Sequence, residues 1–186
     1  PRFSGEGYTA ISDILQRTGT QNVRERLSWN EIEAAPGQFD GKQYLLNHNL
    51  LKARNIGVLG MYHSAPKWAK VNTQLVPDDL LAVYNFGKTI SQKFDAMTAW
   101  EFWNEEDIDF SKEGVWDYAA ALKAASLGYK AGNPKAAVLI GGLANSMPLA
   151  NYANEVMKNG VADYIDVFNI HTYRTLIDQP ATIKDV

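Results

Sequence analysis

The sequence contains no cysteine, which excludes disulfides and thiolate metal sites and leaves the compartment open. No apolar run approaches the roughly 20 residues of a membrane-spanning helix, so membrane insertion is not expected. Residues 1–5 do not have the pattern of a signal peptide. With 18 Lys and Arg against 21 Asp and Glu, the formal charge is −3, and no basic stripe interrupts the chain. Nucleic acid is therefore not an expected partner. There is no His-x-x-x-His and no cluster of acidic ligands, so neither a metal nor any other cofactor is expected. Low-complexity linkers and internal boundaries are also missing, and all 186 residues read as one domain. What the sequence does have is aromatic weight. Five Trp and nine Tyr either fill a core or form platforms for flat apolar ligand faces, of which sugar rings are one kind.

Apolar, β-branched runs alternate with helical patterns, which predicts a parallel α/β architecture. Strands are expected at 22–29, 56–63, 98–103, 137–143 and 164–171. Between them the helices carry apolar stripes: Tyr8, Ile11, Ile14 and Leu15 after a Thr9 cap; Leu46, Leu50 and Ala53; Leu80, Tyr84 and Phe94 after Pro77-Asp78-Asp79; a fourth helix over 116–131; and a fifth over 148–158. His48, inside the second helix, is expected at the surface. An open doubly wound sheet and a closed (β/α)8 barrel both give this alternation. A nucleotide-binding sheet usually carries a glycine-rich first βα turn, and here that turn reads Ser28-Trp29-Asn30-Glu31. The pattern favours the barrel.

A complete barrel needs about 250 residues, or about 31 per βα unit. The chain is therefore expected to hold an incomplete barrel, its strands being the second to sixth of eight. A barrel lacking strand 1 and strands 7–8 exposes two sheet edges. Such a chain is expected either to belong to a longer protein or to self-associate across those edges.

In a barrel, chemistry gathers at the C-terminal ends of the strands. The first visible strand places Arg24, Arg26 and Ser28 on one face. The arginines either pair with Glu25, Glu101 or Asp166 in a polar interior or serve a ligand. The next strand ends in Tyr62-His63-Ser64-Ala65-Pro66-Lys67-Trp68, and the third in Trp100-Glu101-Phe102-Trp103-Asn104-Glu105-Glu106-Asp107. The last ends in His171-Thr172-Tyr173-Arg174. Taken singly, His63 is more often a hydrogen-bonded loop histidine than a ligand, and Trp68 and Trp116 are more often packing than platforms.

The segment Trp103-Asn104-Glu105 resembles the Trp-Asn-Glu motif of the retaining glycoside hydrolases of clan A. The stretch Trp29-Asn30-Glu31-Ile32-Glu33 with Pro36-Gly37-Gln38-Phe39-Asp40, the turn from His63 to Trp68, and the pair His171-x-Tyr173 are similar to other segments of that clan, in the same order. The most similar members are glycoside hydrolase family 39 and related unclassified glycosidases. The resemblance implies hydrolysis of O-glycosidic bonds in an oligo- or polysaccharide by double displacement, a carbohydrate substrate as partner, and an extracellular or periplasmic setting. It makes Glu105 the general acid/base and gives Asn104 a hydrogen bond to the sugar 2-hydroxyl. Arg24 would hold the nucleophile, His171 and Tyr173 would support the two carboxylates, and His63 and Trp68 would line the sugar pocket. The clan's nucleophile is a glutamate at the end of the seventh strand, so the resemblance places it outside this chain. Two other readings fit the same residues: a barrel that binds glycans without cleaving them, and an inactive piece of a glycosidase.

Overall fold

The computed structural model of the protein describes residues 5–70, 75–108, 114–144 and 149–172. Four segments form strands β1 (Asn22–Ser28), β2 (Gly57–His63), β3 (Met97–Phe102) and β4 (Ala137–Ile140), parallel and hydrogen-bonded in the order β1-β2-β3-β4. Parallel neighbours require crossovers. Helices α2 (Trp29–Ile32) and α3 (Lys42–Lys52) join β1 to β2, α4 (Leu80–Lys93) joins β2 to β3, and α5 (Val115–Gly132) joins β3 to β4. Helix α1 (Gly5–Arg17) precedes β1, and α6 (Leu149–Lys158) follows β4. Strand order does not reverse among the described strands, so they contain no switch point of the doubly wound kind.

Register sorts the side chains onto two faces. Arg26, Met61, Glu101 and Leu139 form one row across the sheet, and Arg24, Leu59, Ala99 and Ala137 form another. Both rows lie on the same face, because residues two apart on a strand share a side. Leu27, Val58, Tyr62, Trp100, Phe102, Val138 and Ile140 occupy the opposite face and are buried. There the rings of Tyr62, Trp100 and Phe102 meet Phe86 of α4 and Tyr129 and Tyr118 of α5 at centroid distances of 5.1, 5.3 and 5.7 Å. The charged face is thus left for the site, while the aromatic face makes the core.

The predicted strand 164–171 is not continuous. It meets the β4 region at two isolated parallel bridges, Leu139 to Val167 and Leu143 to Ile170. Side chains take the places of ladder partners here. The Asp166 carboxylate accepts the Val138 N–H at 2.8 Å, and Tyr164 lies in the 3-10 turn Ala162–Tyr164. The predicted strand 137–143 also stops early, since the Gly141 N–H goes to the Tyr118 hydroxyl (2.9 Å) and the Gly142 N–H to Glu101 (3.0 Å).

Several helix faces differ from the predicted stripes. Helix α1 packs chiefly on α3 and buries Tyr8 and Ser12, which leaves Ile11 and Ile14 exposed. Thr9 sits inside α1 and donates back to the Gly5 carbonyl, so it is not a cap. In α3 the inward face is Tyr44, His48 and Leu51. His48 is buried, edge-on to Phe94 and beside Asp95. In α4, Leu80 is exposed, and the buried face is Val83, Phe86, Gly87 and Ile90. Composition alone marks apolar residues but not which neighbour covers them.

Helices α4 and α5 approach closely because α5 presents Gly128 and Gly132, one turn apart, to the Tyr84 and Lys88 carbonyls of α4. A Cβ at either glycine would overlap a backbone oxygen, which cannot swing aside as a side chain can. Alanine gains about 1 kcal/mol of helix propensity over glycine, whereas forced overpacking costs about 1–3 kcal/mol. Gly128→Ala is therefore expected to lower the urea midpoint of the chain despite its higher propensity. An unchanged or raised midpoint would show that α4 and α5 can separate at little cost.

Candidate active site

The chain leaves β3 through two residues in the left-handed region, Trp103 (φ 74°) and Glu105 (φ 49°), which bracket Asn104. For residues other than glycine such conformations cost about 1–3 kcal/mol each and persist only where the surroundings enforce them. Here the Trp103 N–H donates to the Tyr62 carbonyl (3.2 Å) and the Glu105 N–H to the Gly142 carbonyl (3.1 Å), pinning the bend to β2 on one side and to the end of β4 on the other.

Beneath the bend lies Glu101, with no exposed side-chain surface. Arg24 donates to it through Nε (2.7 Å) and Nη2 (2.8 Å), and the Gly142 N–H supplies a third bond. The same Arg24 Nη2 donates to Asn104 Oδ1 at 2.8 Å. Because a guanidinium only donates, this contact sets the orientation of the amide: the oxygen faces Arg24 and the NH2 faces away from it. Of the pairings open to the arginines in the sequence, Arg24 takes Glu101. Glu101 was not legible as a site residue, and its advance signal was that it stood among the three carboxylates open to the arginines.

Glu105 Oε1 lies 2.8 Å from His171 Nδ1, with the two side chains 14% and 22% exposed. His171 is held by its own N–H, which donates to the Leu143 carbonyl at 2.7 Å, and its ring lies over Gly142, where a Cβ would collide with it. Asp107 accepts the Ala144 N–H at 2.7 Å and ties the acidic loop to the residues after β4. Tyr173 lies outside the described residues.

His63 ends β2 on the same face. Its Nδ1 lies 2.6 Å from Ser64 Oγ, and its ring stands edge-on to Trp103 at 6.0 Å. Burial, aided by the charges of Arg26 and Arg24, pushes the imidazole pKa down to about 4, so the ring is neutral near pH 7. His63, Arg26, Asn30, Ser64, Lys70 and Trp103 line a cavity of about 400 Å³. Trp68 is not part of it. After Pro66 the 3-10 turn Lys67–Ala69 carries the indole toward Trp29 (5.8 Å, edge-on), and its Nε1–H donates to the Glu33 carbonyl at 3.2 Å. There Trp68 lines a second concavity of about 540 Å³ with Glu33, Pro36 and Gly37. The structure thus brings Arg24, Asn104, Glu105 and His171 together, sets His63 beside them, and places Trp68 elsewhere. Among the described residues no group of three metal-ligating side chains forms.

Glu106, next to Glu105, is buried, and neither of its carboxyl oxygens has a hydrogen-bond partner among the described residues. Burial pushes its pKa up to about 8, partly offset by its own backbone N–H and the nearby Tyr118 hydroxyl, with smaller upward effects from Asp107 and Glu101. The group is therefore largely protonated near neutrality. A carboxyl raised on folding favours the folded state fully below its unfolded pKa of about 4.3, and that contribution is lost as pH rises toward about 8. The chain is expected to lose stability between pH 5 and pH 8 relative to Glu106→Gln, as read by urea unfolding at both pH values. Parallel pH dependences in the two proteins would show that Glu106 is ionised when folded.

No family model matches the chain and no curated protein matches it. Solved structures do. A family 39 glycoside hydrolase from the gut symbiont Bacteroides cellulosilyticus WH2 superposes with a TM-score of 0.72 at 21% identity, over 88% of this chain and 35% of that one. The GH53 catalytic domain of Ignisphaera aggregans gives 0.72 at 22% identity, over 95% and 56%. The catalytic domain of GH30 xylanase C from Talaromyces cellulolyticus gives 0.69 at 14% identity, over 92% and 49%. The chain spans about a third to just over half the length of these proteins. Along that span it has the parallel α/β fold of glycoside hydrolases.

Proposed function

We propose that this chain carries the acid/base half of a retaining O-glycosidase, with the nucleophilic carboxylate supplied from outside residues 1–186. The observation that carries the reading is the Glu105–His171 pair set beside an Asn104 amide that Arg24 orients, at the C-terminal end of a parallel strand. That is where parallel α/β barrels gather their chemistry, and the glycoside hydrolase neighbours support a glycan as substrate.

In the first step Glu105 donates its proton to the glycosidic oxygen while the second carboxylate attacks the anomeric carbon. The carbon–oxygen bond breaks, the alcohol departs, and a glycosyl ester forms. In the second step Glu105, now ionised, takes a proton from water, whose oxygen displaces the ester with a second inversion, so configuration is retained. His171 positions the Glu105 carboxyl through Oε1. The Asn104 NH2, turned away from Arg24, donates to the 2-hydroxyl as positive charge develops on the ring. The Arg24–Glu101 pair lies under both groups, so Arg24 orients Asn104 directly and reaches the nucleophile only if that carboxylate approaches the same guanidinium.

Two measurements test this. The first-formed anomer from an aryl glycoside, followed by proton NMR, is expected to keep the substrate's configuration, and an inverted product would contradict the mechanism. Glu105→Gln is expected to slow turnover by about 10²–10⁴ on substrates with poor leaving groups and far less on those with good ones, since protonation matters where the leaving alkoxide is basic. Equal losses on both kinds of substrate would remove Glu105 from the acid role.

A further inference from the structure

We propose that the cavity beside the Asn104–Glu105 bend holds a sugar carrying a negative charge, a carboxylate or a sulfate ester, through Arg26 and Lys70. This rests on the glycosidase reading and names the substrate class within it. The lining is Arg26, Asn30, His63, Ser64, Lys70 and Trp103, with the apolar Ala65 and Leu75. Among the described residues it contains two cations and no carboxylate, in a chain whose acids outnumber its bases by 21 to 18. Its volume of about 400 Å³ lies in the usual range of ligand sites, about 300–1,000 Å³.

The contrast with Arg24 is informative. Arg24 and Arg26 sit two residues apart on the same face of β1, and Glu101 lies in Arg26's own row. Yet Glu101 is committed to Arg24, which also holds Asn104. Among the described residues neither Arg26 nor Lys70 has an ion-pair or hydrogen-bond partner. Arg26 leaves the strand and Lys70 follows the 3-10 turn Lys67–Ala69, so the two cations reach the cavity from separate segments. His63 in the same lining stays neutral through its burial and the charges of Arg26 and Arg24, and so can accept a hydrogen bond from a hydroxyl without adding charge. Asn30 and Ser64 offer hydroxyl partners. A neutral sugar would leave both cations unused in a partly closed site. An anionic group meets them with charge-assisted bonds, which a guanidinium makes in bidentate form.

The test uses three probes sharing one ring, 4-nitrophenyl β-glucuronide, 4-nitrophenyl β-glucoside 6-sulfate and 4-nitrophenyl β-glucoside, and the matching galacto series. Turnover is measured with the full-length protein. Binding is measured by calorimetry on Glu105→Gln. In at least one series an anionic probe is expected to exceed its neutral counterpart at least tenfold in kcat/KM and in affinity. That ratio is expected to fall toward one in Arg26→Gln/Lys70→Gln and as salt is raised, the salt series needing no variant. The preferred arm distinguishes carboxylate from sulfate. Equal turnover of charged and neutral probes, or a ratio unmoved by both salt and the double variant, would overturn the inference while leaving the glycosidase reading intact. Salt-sensitive, Arg26- and Lys70-dependent binding of an anionic probe with no turnover of any would uphold the cavity and overturn the glycosidase. No binding of any probe would overturn the cavity.

Discussion

A carboxylate with no exposed surface has to be neutralised where it stands, and Glu101 is such a group. Its satisfaction by Arg24 and by the Gly142 N–H joins β1, β3 and the end of β4 in one charged knot across the sheet. Removing one partner of a fully buried pair costs about 3–5 kcal/mol, because the remaining charge is stranded. The figure is smaller here, since the Arg24 side chain is 37% exposed and screened by water. The geometric consequence is the larger one. With Glu101 fixed, the Arg24 Nη2 that bonds it is held in place, and the same nitrogen donates to Asn104 as well.

Four carboxyl groups then lie within seven residues, and each meets a different environment. Glu101 is paired with a guanidinium, Glu105 with an imidazole, and Asp107 with a backbone N–H, while Glu106 is buried without a partner and keeps its proton. A neutral Glu106 avoids placing another full negative charge against Glu101 and Asp107, and it fills the space over Gly141. The left-handed bend at Trp103 and Glu105 is tolerated because two carbonyls, from β2 and from beyond β4, hold it open. One short acidic stretch thereby provides a structural anion, a candidate proton donor, a neutral filler and a tether.

Much of this was legible in the sequence. The first three strand spans are within a residue of expectation, since β-branched and aromatic runs bounded by turn residues carry a strong signal. Asn104, Glu105, Arg24 and His171 converge because the strand order places their loops on one rim. What could not be read was whatever depends on a neighbour. Arg24 had three carboxylates to choose from, and it takes Glu101, which the register places in the row of Arg26, so the pair forms on a diagonal that the sequence does not show. His48 looked like a surface residue until Phe94 and Asp95 closed over it. Glu106 is one acidic residue among several until burial separates it. The last predicted strand gives way to isolated bridges because Asp166 takes a main-chain partner from β4, a substitution that no periodicity records.

The claim that Glu101 acts on the chemistry through Arg24 and Asn104 is tested most directly by a double-mutant cycle. It compares kcat/KM on one aryl glycoside for the full-length protein, Glu101→Gln, Asn104→Ala and the combined variant. If the three side chains work as one unit, the combined variant loses about as much as the worse single variant. Losses that multiply, or full activity in Glu101→Gln, would show that the amide is oriented by something other than the buried pair.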